Sequence, residues 1–330
     1  MGVQITEFGT TAAGNLVHKI TLTRDGMRVS VLTKGATLQS VRLDGVAHDL
    51  TLGSDDLALY EGKMRHHGSL VAPVVNRFTG GRAVIGGADY QFETNQDGKH
   101  TLHFGAAGTQ HKIWAVAATE DSADACAVTL ALTLPEGEGG MPGTRPVRAR
   151  FSLEPGPRLR LHIHATTDAL TLFNAANHSY WNMDGSATWL GHALRIAADQ
   201  VLPVTDDFAP TGEVRDVTGT HFDLRVMRDI VPGQDEFDHN FCLGTDRVAL
   251  RDVLWLRGQS GLTMTIATTE AGIQVYDGRN AKRPGRGVYE GLAIEPQNWP
   301  DAPNHAGFPS IELAPGQAYD QITEWRFATP

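Results

Sequence analysis

The chain of 330 residues has few of the features that tie small secreted proteins or membrane proteins together. Its only two cysteines, Cys126 and Cys242, lie far apart and outside any CxxC pair, so the sequence indicates neither a disulfide framework nor a cysteine-bound zinc. No apolar run approaches the ~20 residues that a membrane-spanning helix needs. The N-terminus lacks a basic segment followed by an apolar core, which argues against a secretory signal. We therefore expect a cytoplasmic protein.

Positive charge is also scarce. Lys and Arg number 28 against 38 Asp and Glu, and the formal net charge is −10. Basic side chains do not gather along any predicted helix, so we expect neither nucleic acid nor a membrane as a partner. The basic stretch 279–286 is short and interrupted by glycine and proline, and we interpret it as a solvated loop rather than a phosphate cradle.

Long helical periodicity is missing, and this absence excludes a doubly wound α/β fold. Apolar and polar residues instead alternate with period two in short segments separated by turn dipeptides, as in half-buried strands. The sequence therefore predicts an all-β, antiparallel fold of two large sheets packed face to face, with very little helix. No repeat or linker marks a boundary, so residues 1–330 are predicted to form one domain. The predicted strands include 20–22, 29–31, 37–43, 83–85, 90–93, 128–134, 147–153, 159–165, 194–198 and 262–267.

Local signals predict a few turns and one helix. The dipeptides Asp25-Gly26 and Asp44-Gly45 follow alternating segments and are typical of tight hairpin turns. Ser54 is a candidate cap for a short helix that reaches Glu61, with acidic residues in the first turn, where the helix dipole favours them.

Two unusual segments carry the candidate chemistry. Residues 177–182 read Asn-His-Ser-Tyr-Trp-Asn and contain His178, and residues 291–302 carry Glu295 at the end of an apolar run, just before Pro296. A histidine of near-neutral pKa and a partly desolvated carboxylate can act as an acid and a base. Aromatic faces beside polar side chains suit a sugar, which has apolar C–H faces and a rim of hydroxyls. The pairing indicates proton transfer on a carbohydrate.

Further motifs along nearly the whole chain give a family resemblance. They are Gly35-Ala36-Thr37, Asn76-Arg77-Phe78, Leu102-His103, Pro210-Thr211-Gly212-Glu213, Asp238-His239-Asn240-Phe241, Gln274-Val275-Tyr276, Glu295-Pro296-Gln297-Asn298, His305 and Phe308-Pro309-Ser310. In this order, together with the segment at 177–182, they resemble the aldose 1-epimerase (galactose mutarotase) family. The resemblance implies a large antiparallel β-sandwich with an open sugar cleft. It also implies an isomerase that needs no cofactor and no metal, acts on a small-molecule sugar, and works as a monomer or homodimer.

The resemblance also assigns roles to residues. It implies that Glu295 is the base and His178 the acid in opening and closing the sugar ring. The substrate-binding candidates are Asn76, Arg77, His103, Tyr180, Asp238, Tyr276 and Gln297. His103 is followed by Phe104 where the family usually has a glycine, and a phenylalanine would be strained if that position needs a positive φ. We expect any altered sugar preference to arise there.

Other readings of the same residues stay open at this level. Asp238 and Glu295 could be the carboxylate pair of a glycosidase on a related sandwich. A hexose-phosphate epimerase would need a basic cluster at the cleft mouth, for which the stretch 279–286 is the only local candidate. A sugar-binding module without turnover is the alternative outside enzymes. The pairs His66-His67 and His162/His164 suggest no third ligand, so no metal site is predicted.

Overall fold

The computed structural model describes residues 2–330 as a nearly all-β chain. Its strands, in chain order, are β1 Gly2–Thr10, β2 Leu16–Arg24, β3 Met27–Leu32, β4 Thr37–Leu43, β5 Leu70–Val71, β6 Arg77–Phe78, β7 Arg82–Ile85, β8 Ala88–Gln91, β9 Thr101–Leu102, β10 Ala115–Asp121, β11 Cys126–Leu134, β12 Arg145–Glu154, β13 Arg158–Ala165, β14 Thr171–Leu172, β15 Ala176–Asn177, β16 Tyr180–Trp181, β17 Ala193–Ile196, β18 Gln200–Leu202, β19 Arg215–Asp216, β20 Arg228–Asp229, β21 Asp238–Cys242, β22 Arg251–Arg257, β23 Thr263–Thr268, β24 Gly272–Tyr276, β25 Leu292–Gln297, β26 Glu312–Leu313 and β27 Tyr319–Ala328.

Three sheets dominate the architecture. Strands β1 to β4 form a four-stranded meander, and a nine-stranded sheet runs in the order β10-β11-β12-β13-β27-β23-β22-β17-β20. A six-stranded sheet runs in the order β16-β25-β24-β21-β18-β19, and four short two-stranded ladders complete the set. The pairings of the strands named above are all antiparallel, as predicted.

The alternating sequence of each strand decides which face it buries. In β13, Leu159, Leu161 and Ile163 are buried, whereas the intervening His162 and His164 are partly exposed. This is the period-two pattern of a strand with one face on the core. One core cluster draws its buried side chains from all three large sheets, so the sheets close on a common apolar interior.

Some of the predicted turns, strands and helix caps are confirmed and others are wrong. The Asp25-Gly26 turn joins β2 and β3 in a hairpin, but Asp44-Gly45 ends β4 without leading into a partner strand. The predicted strand at 90–93 lies two residues too late. The one α-helix in residues 2–330, α1 (Leu57–Glu61), is capped by Asp56 rather than Ser54, because the Asp56 carboxylate accepts from the Ala58 amide at 3.0 Å.

Five short 3₁₀ turns accompany α1 in this part of the chain: Thr79–Gly81, Gly105–Ala107, Thr109–His111, Glu138–Gly140 and Ala302–Asn304. No helix within residues 2–330 is long and apolar enough to cross a membrane.

Candidate active site

The register of the six-stranded sheet builds one wall of a cleft. On β24, Gln274 lies directly opposite Glu295 of β25, and Tyr276 lies opposite Asp238 of β21. Residues opposite each other on neighbouring strands share a face, as do residues two apart on one strand. The alternation therefore puts both carboxylates, the amide and the tyrosine on the same face. Tyr180 of β16 joins them, because it lies opposite Ala293 on β25.

The facing wall comes from irregular segments. The backbone of His178 is held on both sides: its amide donates to the Ser69 carbonyl at 2.9 Å, and its carbonyl accepts from the Gly68 amide at 2.9 Å. Asn76 has a φ of +66°, and its amide donates to Nδ1 of His103 at 3.2 Å. These bonds hold the backbone of His178 and the ring of His103 in place in the empty cleft.

His178 and Glu295 form the centre of the cleft. Nε2 of His178 lies 3.5 Å from Oε1 of Glu295, and the side chains are only 6% and 3% exposed. Burial, reinforced by the Asp238 carboxylate, raises the pKa of Glu295 well above its usual value, while Arg77 opposes the shift. Burial lowers the pKa of His178 to about 4. The near-neutral pKa expected for this histidine is wrong, and between the two pKa values the pair holds one proton.

Asp238 is held in place by two donors. Nη2 of Arg77 lies 3.3 Å from one carboxylate oxygen, and Nε2 of Gln274 donates to the other at 2.8 Å. Burial raises the pKa of Asp238, and Arg77 and the Gln274 hydrogen bond oppose that shift. Arg77 also donates to Oε1 of Gln96 at 2.9 Å. Hydrogen-bond donors and acceptors thus surround His178 and Glu295.

The cleft enclosed by these walls has a volume of about 340 Å³, within the range of small-ligand sites. The following predicted site residues line it: Asn76, Arg77, His103, His178, Tyr180, Asp238, Tyr276 and Glu295.

Comparison with known proteins agrees with this geometry. Residues 18–326 match the family model described as aldose 1-epimerase. The galactose mutarotase of Bos taurus is 32% identical over 339 aligned positions, which cover 97% of each chain. The aldose 1-epimerase of Escherichia coli K12 is 29% identical, with 92% of each chain covered. The chain belongs to the aldose 1-epimerase family. It is therefore an isomerase, as the motifs predicted.

Solved structures of aldose 1-epimerase relatives agree on the fold. A galactose 1-epimerase from Lactobacillus acidophilus NCFM matches with a TM-score of 0.87 at 26% identity, covering 100% of this chain and 99% of its own. An aldose epimerase homologue from C. elegans matches with a TM-score of 0.84 at 27% identity, covering 99% of both chains. The predicted β-sandwich of the galactose mutarotase type is confirmed.

Gln297 is the one predicted site residue that does not line the aldose 1-epimerase cleft. It shares a sheet face with Glu295 but lies two residues along β25, roughly 7 Å away at ordinary strand rise. Its side chain is fully buried and donates to the Asn298 carbonyl at 3.3 Å. Its predicted contact with the sugar stays a prediction.

Several residues that line the cleft escaped the sequence reasoning. They are Lys63, His66, His67, Gln96, Leu102, Phe208, Gln274, Arg279, Asn280 and Ala281. Gln274 could have been found, because it lies two residues before Tyr276 in the same motif and therefore faces the same side. Oε1 of Gln274 has no hydrogen-bond partner within residues 2–330, although the side chain is buried.

Phe208 could not have been found from strand alternation, since it lies in a turn after β18. Its φ is +63°, a left-handed conformation that is costly for a bulky side chain. Its ring lies 5.6 Å from the guanidinium carbon of Arg77 and 5.9 Å from that of Arg279. Such strain persists where surrounding contacts hold it, often at ligand sites. Phe208 therefore gives the aldose 1-epimerase cleft an apolar wall bracketed by two cations.

Phe104 stands where the family usually has a glycine, and its φ is positive, +57°. Its ring, however, points away from the cleft into an apolar cluster, where it packs 5.5 Å from the ring of Phe92. The backbone at this position thus accepts a phenylalanine without placing the ring against a bound sugar.

The basic stretch 279–286 is less solvated than predicted. Arg279 lines the cleft, but its guanidinium pairs with Asp277 at 2.6 Å and lies 3.5 Å from Glu236. Arg283 and Arg286 both pair with the buried Glu290. The three arginines of the loop are therefore paired with acidic side chains, whereas Lys282 is exposed and has no ion-pair partner within residues 2–330. No group of three or more His, Cys, Asp or Glu side chains in residues 2–330 is arranged to hold a metal ion.

Proposed function

We propose that the protein interconverts the α and β anomers of free aldoses such as glucose or galactose, with Glu295 as base and His178 as acid. The observation that carries the proposal is the 3.5 Å separation of these two buried groups inside a cleft lined by polar side chains. In the closed sugar, the base takes the proton from the C1 hydroxyl while the acid protonates the ring oxygen O5. The C1–O5 bond then breaks and leaves a free aldehyde.

Rotation about C1–C2 turns the other face of the carbonyl towards O5, and the two groups exchange roles on closure. Glu295 returns its proton to the carbonyl oxygen, and His178 takes the proton from the attacking hydroxyl. One proton on the pair is enough for the whole cycle, because each step moves it from one group to the other through the sugar. Each such transfer typically contributes ~10²–10⁴-fold to the rate.

The remaining cleft residues bind and orient the sugar. Arg77, Asp238 and Gln274 present donors and acceptors to adjacent hydroxyls, and Asn76 and His103 complete the polar rim. Tyr180 and Tyr276 offer apolar faces to the C–H side of the ring. Arg279, the arginine of the 279–286 loop that lines the cleft, is already paired with Asp277, so this loop offers the cleft no free guanidinium for a phosphate.

The state of the cysteines and the net charge bear on where the enzyme works and what it binds. Both cysteines are buried and unpaired, and free thiols suit a reducing compartment such as the cytoplasm. We also propose that residues 1–330 act as one domain, as a monomer or homodimer. The net charge of −10 supports the absence of nucleic-acid partners.

Optical rotation of freshly dissolved α-D-glucose and α-D-galactose, followed with wild-type protein and with Glu295→Gln, tests the proposal. Acceleration that disappears in the variant supports both the reaction and its base. If neither sugar equilibrates faster, while calorimetry detects sugar binding, the chain is a binding module and the proposal fails.

A further inference from the structure

The acid and the base of the proposed reaction lie on two segments that are far apart in the sequence. His178 follows β15, whereas Glu295 lies within β25. Strand β16 pairs with β25 only through Leu292 and Ala293. On this side of β25, residues 294–297 have no paired strand within the described chain. Other groups must therefore satisfy the backbone beside the catalytic carboxylate.

A chain of hydrogen bonds through β27 reaches this backbone. Nε2 of Gln321 donates to the carbonyl of Pro296 at 2.7 Å. The Tyr319 hydroxyl donates to Oε1 of Gln321 at 3.1 Å and accepts from the Ala175 amide at 3.1 Å. The chain thus connects the segment that leads into His178 with the residue that directly follows the catalytic carboxylate.

A second link joins the same two segments. Oδ1 of Asn174 accepts from the Asn298 amide at 2.9 Å, and Nδ2 of Asn174 donates to the Asn298 carbonyl at 3.2 Å. Asn174 precedes His178 by one short stretch of chain, and Asn298 follows Glu295 closely. Because one side-chain amide meets both polar groups of one backbone residue, it fixes distance and orientation together.

Asn174, Tyr319 and Gln321 together form what we name the support network. Each is 1% exposed, and none lines the cleft. Tyr319 and Gln321 face the same interior as Trp325 and Phe327 of β27. An amide in such an interior costs free energy unless its hydrogen bonds are made. Apolar packing alone does not require an amide here, whereas support of the β25 carbonyl does.

The support network is itself anchored by a buried ion pair. Nε of Arg247 donates to Oε1 of Glu270 at 2.7 Å, and the same oxygen lies 3.3 Å from the Tyr319 hydroxyl. The Arg247 guanidinium also lies 4.1 Å from the centre of the Tyr319 ring. Neither charged residue lines the cleft. The ion pair and the cation–π contact therefore hold the phenol in place without touching the sugar.

We propose that the support network positions the catalytic pair, setting the 3.5 Å separation of His178 and Glu295 through their backbones. The inference rests on the proposed function, because it requires these two groups to be the acid and the base. Arg77 and Asp238, which are proposed to bind hydroxyls, lie on the separate strands β6 and β21. A loosened network should therefore slow proton transfer more than it weakens binding, since transfer depends steeply on geometry.

Gln321→Met tests the support network, because methionine is also long and unbranched but has no donor for the Pro296 carbonyl. We expect kcat for glucose, measured by polarimetry, to fall by about tenfold or more, with KM within about threefold of wild type. Gln39→Met is the matched control. Gln39 is also buried, donates to the Ser54 carbonyl at 3.0 Å and does not line the cleft. Its loss should lower the melting temperature and leave kcat unchanged.

Gln321→Glu is a second variant that keeps the shape of the side chain. The new carboxyl can donate to the Pro296 carbonyl only while it is protonated, and burial favours the protonated form. The ratio of its kcat to that of the wild type should therefore be highest at acid pH and fall as the pH rises. The same ratio for Gln321→Met should not change with pH, because methionine does not titrate.

A folded Gln321→Met enzyme with wild-type kcat would overturn the inference. So would an equal loss of kcat in Gln39→Met, because the effect would then come from general destabilisation. A Gln321→Glu enzyme that is as slow at acid pH as at alkaline pH would also contradict it. If the wild-type protein does not accelerate the equilibration of glucose or galactose, the proposed function fails instead, and this is seen before any variant is measured.

Discussion

The imidazole of His178 and the carboxylate of Glu295 lie 3.5 Å apart, and both are almost sealed from solvent. Burial shifts the two pKa values in opposite directions: it raises the pKa of Glu295 and lowers the pKa of His178 to about 4. In the empty cleft the shared proton therefore rests on Glu295 and the imidazole is neutral. The proposed reaction passes through this arrangement while the open-chain aldehyde is bound, whereas ring opening starts with the proton on His178.

Removing either partner should stop turnover without unfolding the protein. Glu295→Gln keeps the shape and loses the base, and His178→Asn keeps a polar group and loses the proton carrier. We expect each change to lower kcat by roughly 10²–10⁴-fold, measured by polarimetry after subtraction of the uncatalysed rate. Circular dichroism and thermal unfolding should match the wild type.

Glu7, which is exposed, and His162, which is partly exposed, supply controls for this pair. Glu7→Gln and His162→Asn repeat the chemical changes on the surface, away from the cleft, and should leave kcat unchanged. A Glu295→Gln or His178→Asn enzyme with near-normal kcat would contradict the assigned roles.

The pH dependence of kcat/KM should be bell-shaped with a broad top. The one-proton form of the pair is productive, because the cycle passes a single proton between the two groups. As the pH falls through about 4, His178 takes up a proton, the pair then carries two protons, and activity declines. As pH rises through the raised pKa of Glu295, the pair loses its only proton and activity declines again. A profile that instead peaks sharply near the ordinary histidine pKa would contradict the buried pair.

Asp238→Asn should shift one limb of that profile. The Asp238 carboxylate raises the pKa of Glu295, so removing its charge lowers that pKa and moves the alkaline limb of kcat/KM to lower pH. The amide can still accept from Arg77, which limits the structural change. The KM should rise as well, because Asp238 is proposed to bind hydroxyls. An unchanged alkaline limb would show that the limb belongs to another group.

The sequence predicted much of this site because its motifs match those of the aldose 1-epimerase family, which assign the candidate residues one by one. Because side chains alternate between the two faces of a strand, Gln274 faces the same side as Glu295 and Asp238. This alternation does not say how far along β25 the cleft extends, and Gln297 lies outside the cleft. Phe208 could not be predicted from the strands, since it lies in a left-handed turn, and its proximity to Arg77 and Arg279 appears only in the folded chain. The family motifs identified His178, but only burial in the folded chain sets its pKa.

Phe208→Ala should weaken sugar binding more than it slows the chemistry. The ring forms an apolar wall and steadies two guanidinium groups, and neither role touches the C1 and O5 protons. We expect KM to rise by roughly tenfold with kcat within about threefold of wild type, as for lost uniform binding. Phe208→Tyr keeps the ring and should behave like the wild type. A drop in kcat at unchanged KM would mean that Phe208 acts on the transition state instead.

Phe104→Gly tests whether this position sets sugar preference or only packs the core. The ring is buried beside Phe92 and does not line the cleft, so its loss should cost stability rather than selectivity. Deleting a buried phenylalanine typically costs about 3–5 kcal/mol, and relief of the left-handed backbone returns roughly 1–2 kcal/mol of that. Urea unfolding should therefore show a net loss of about 1–4 kcal/mol.

Phe104→Ala separates the two effects, because alanine loses the ring but keeps a Cβ at a φ of +57°. It should be less stable than Phe104→Gly by about 1 kcal/mol, the usual cost of a side chain in this conformation. Since His103 is held by Asn76 on one side and its carbonyl accepts from Gln110 at 2.9 Å, both variants should keep the cleft in place. The ratio of kcat/KM for galactose and glucose should then equal that of the wild type. A changed ratio in both variants would instead make Phe104 the source of sugar preference, acting through the backbone of His103.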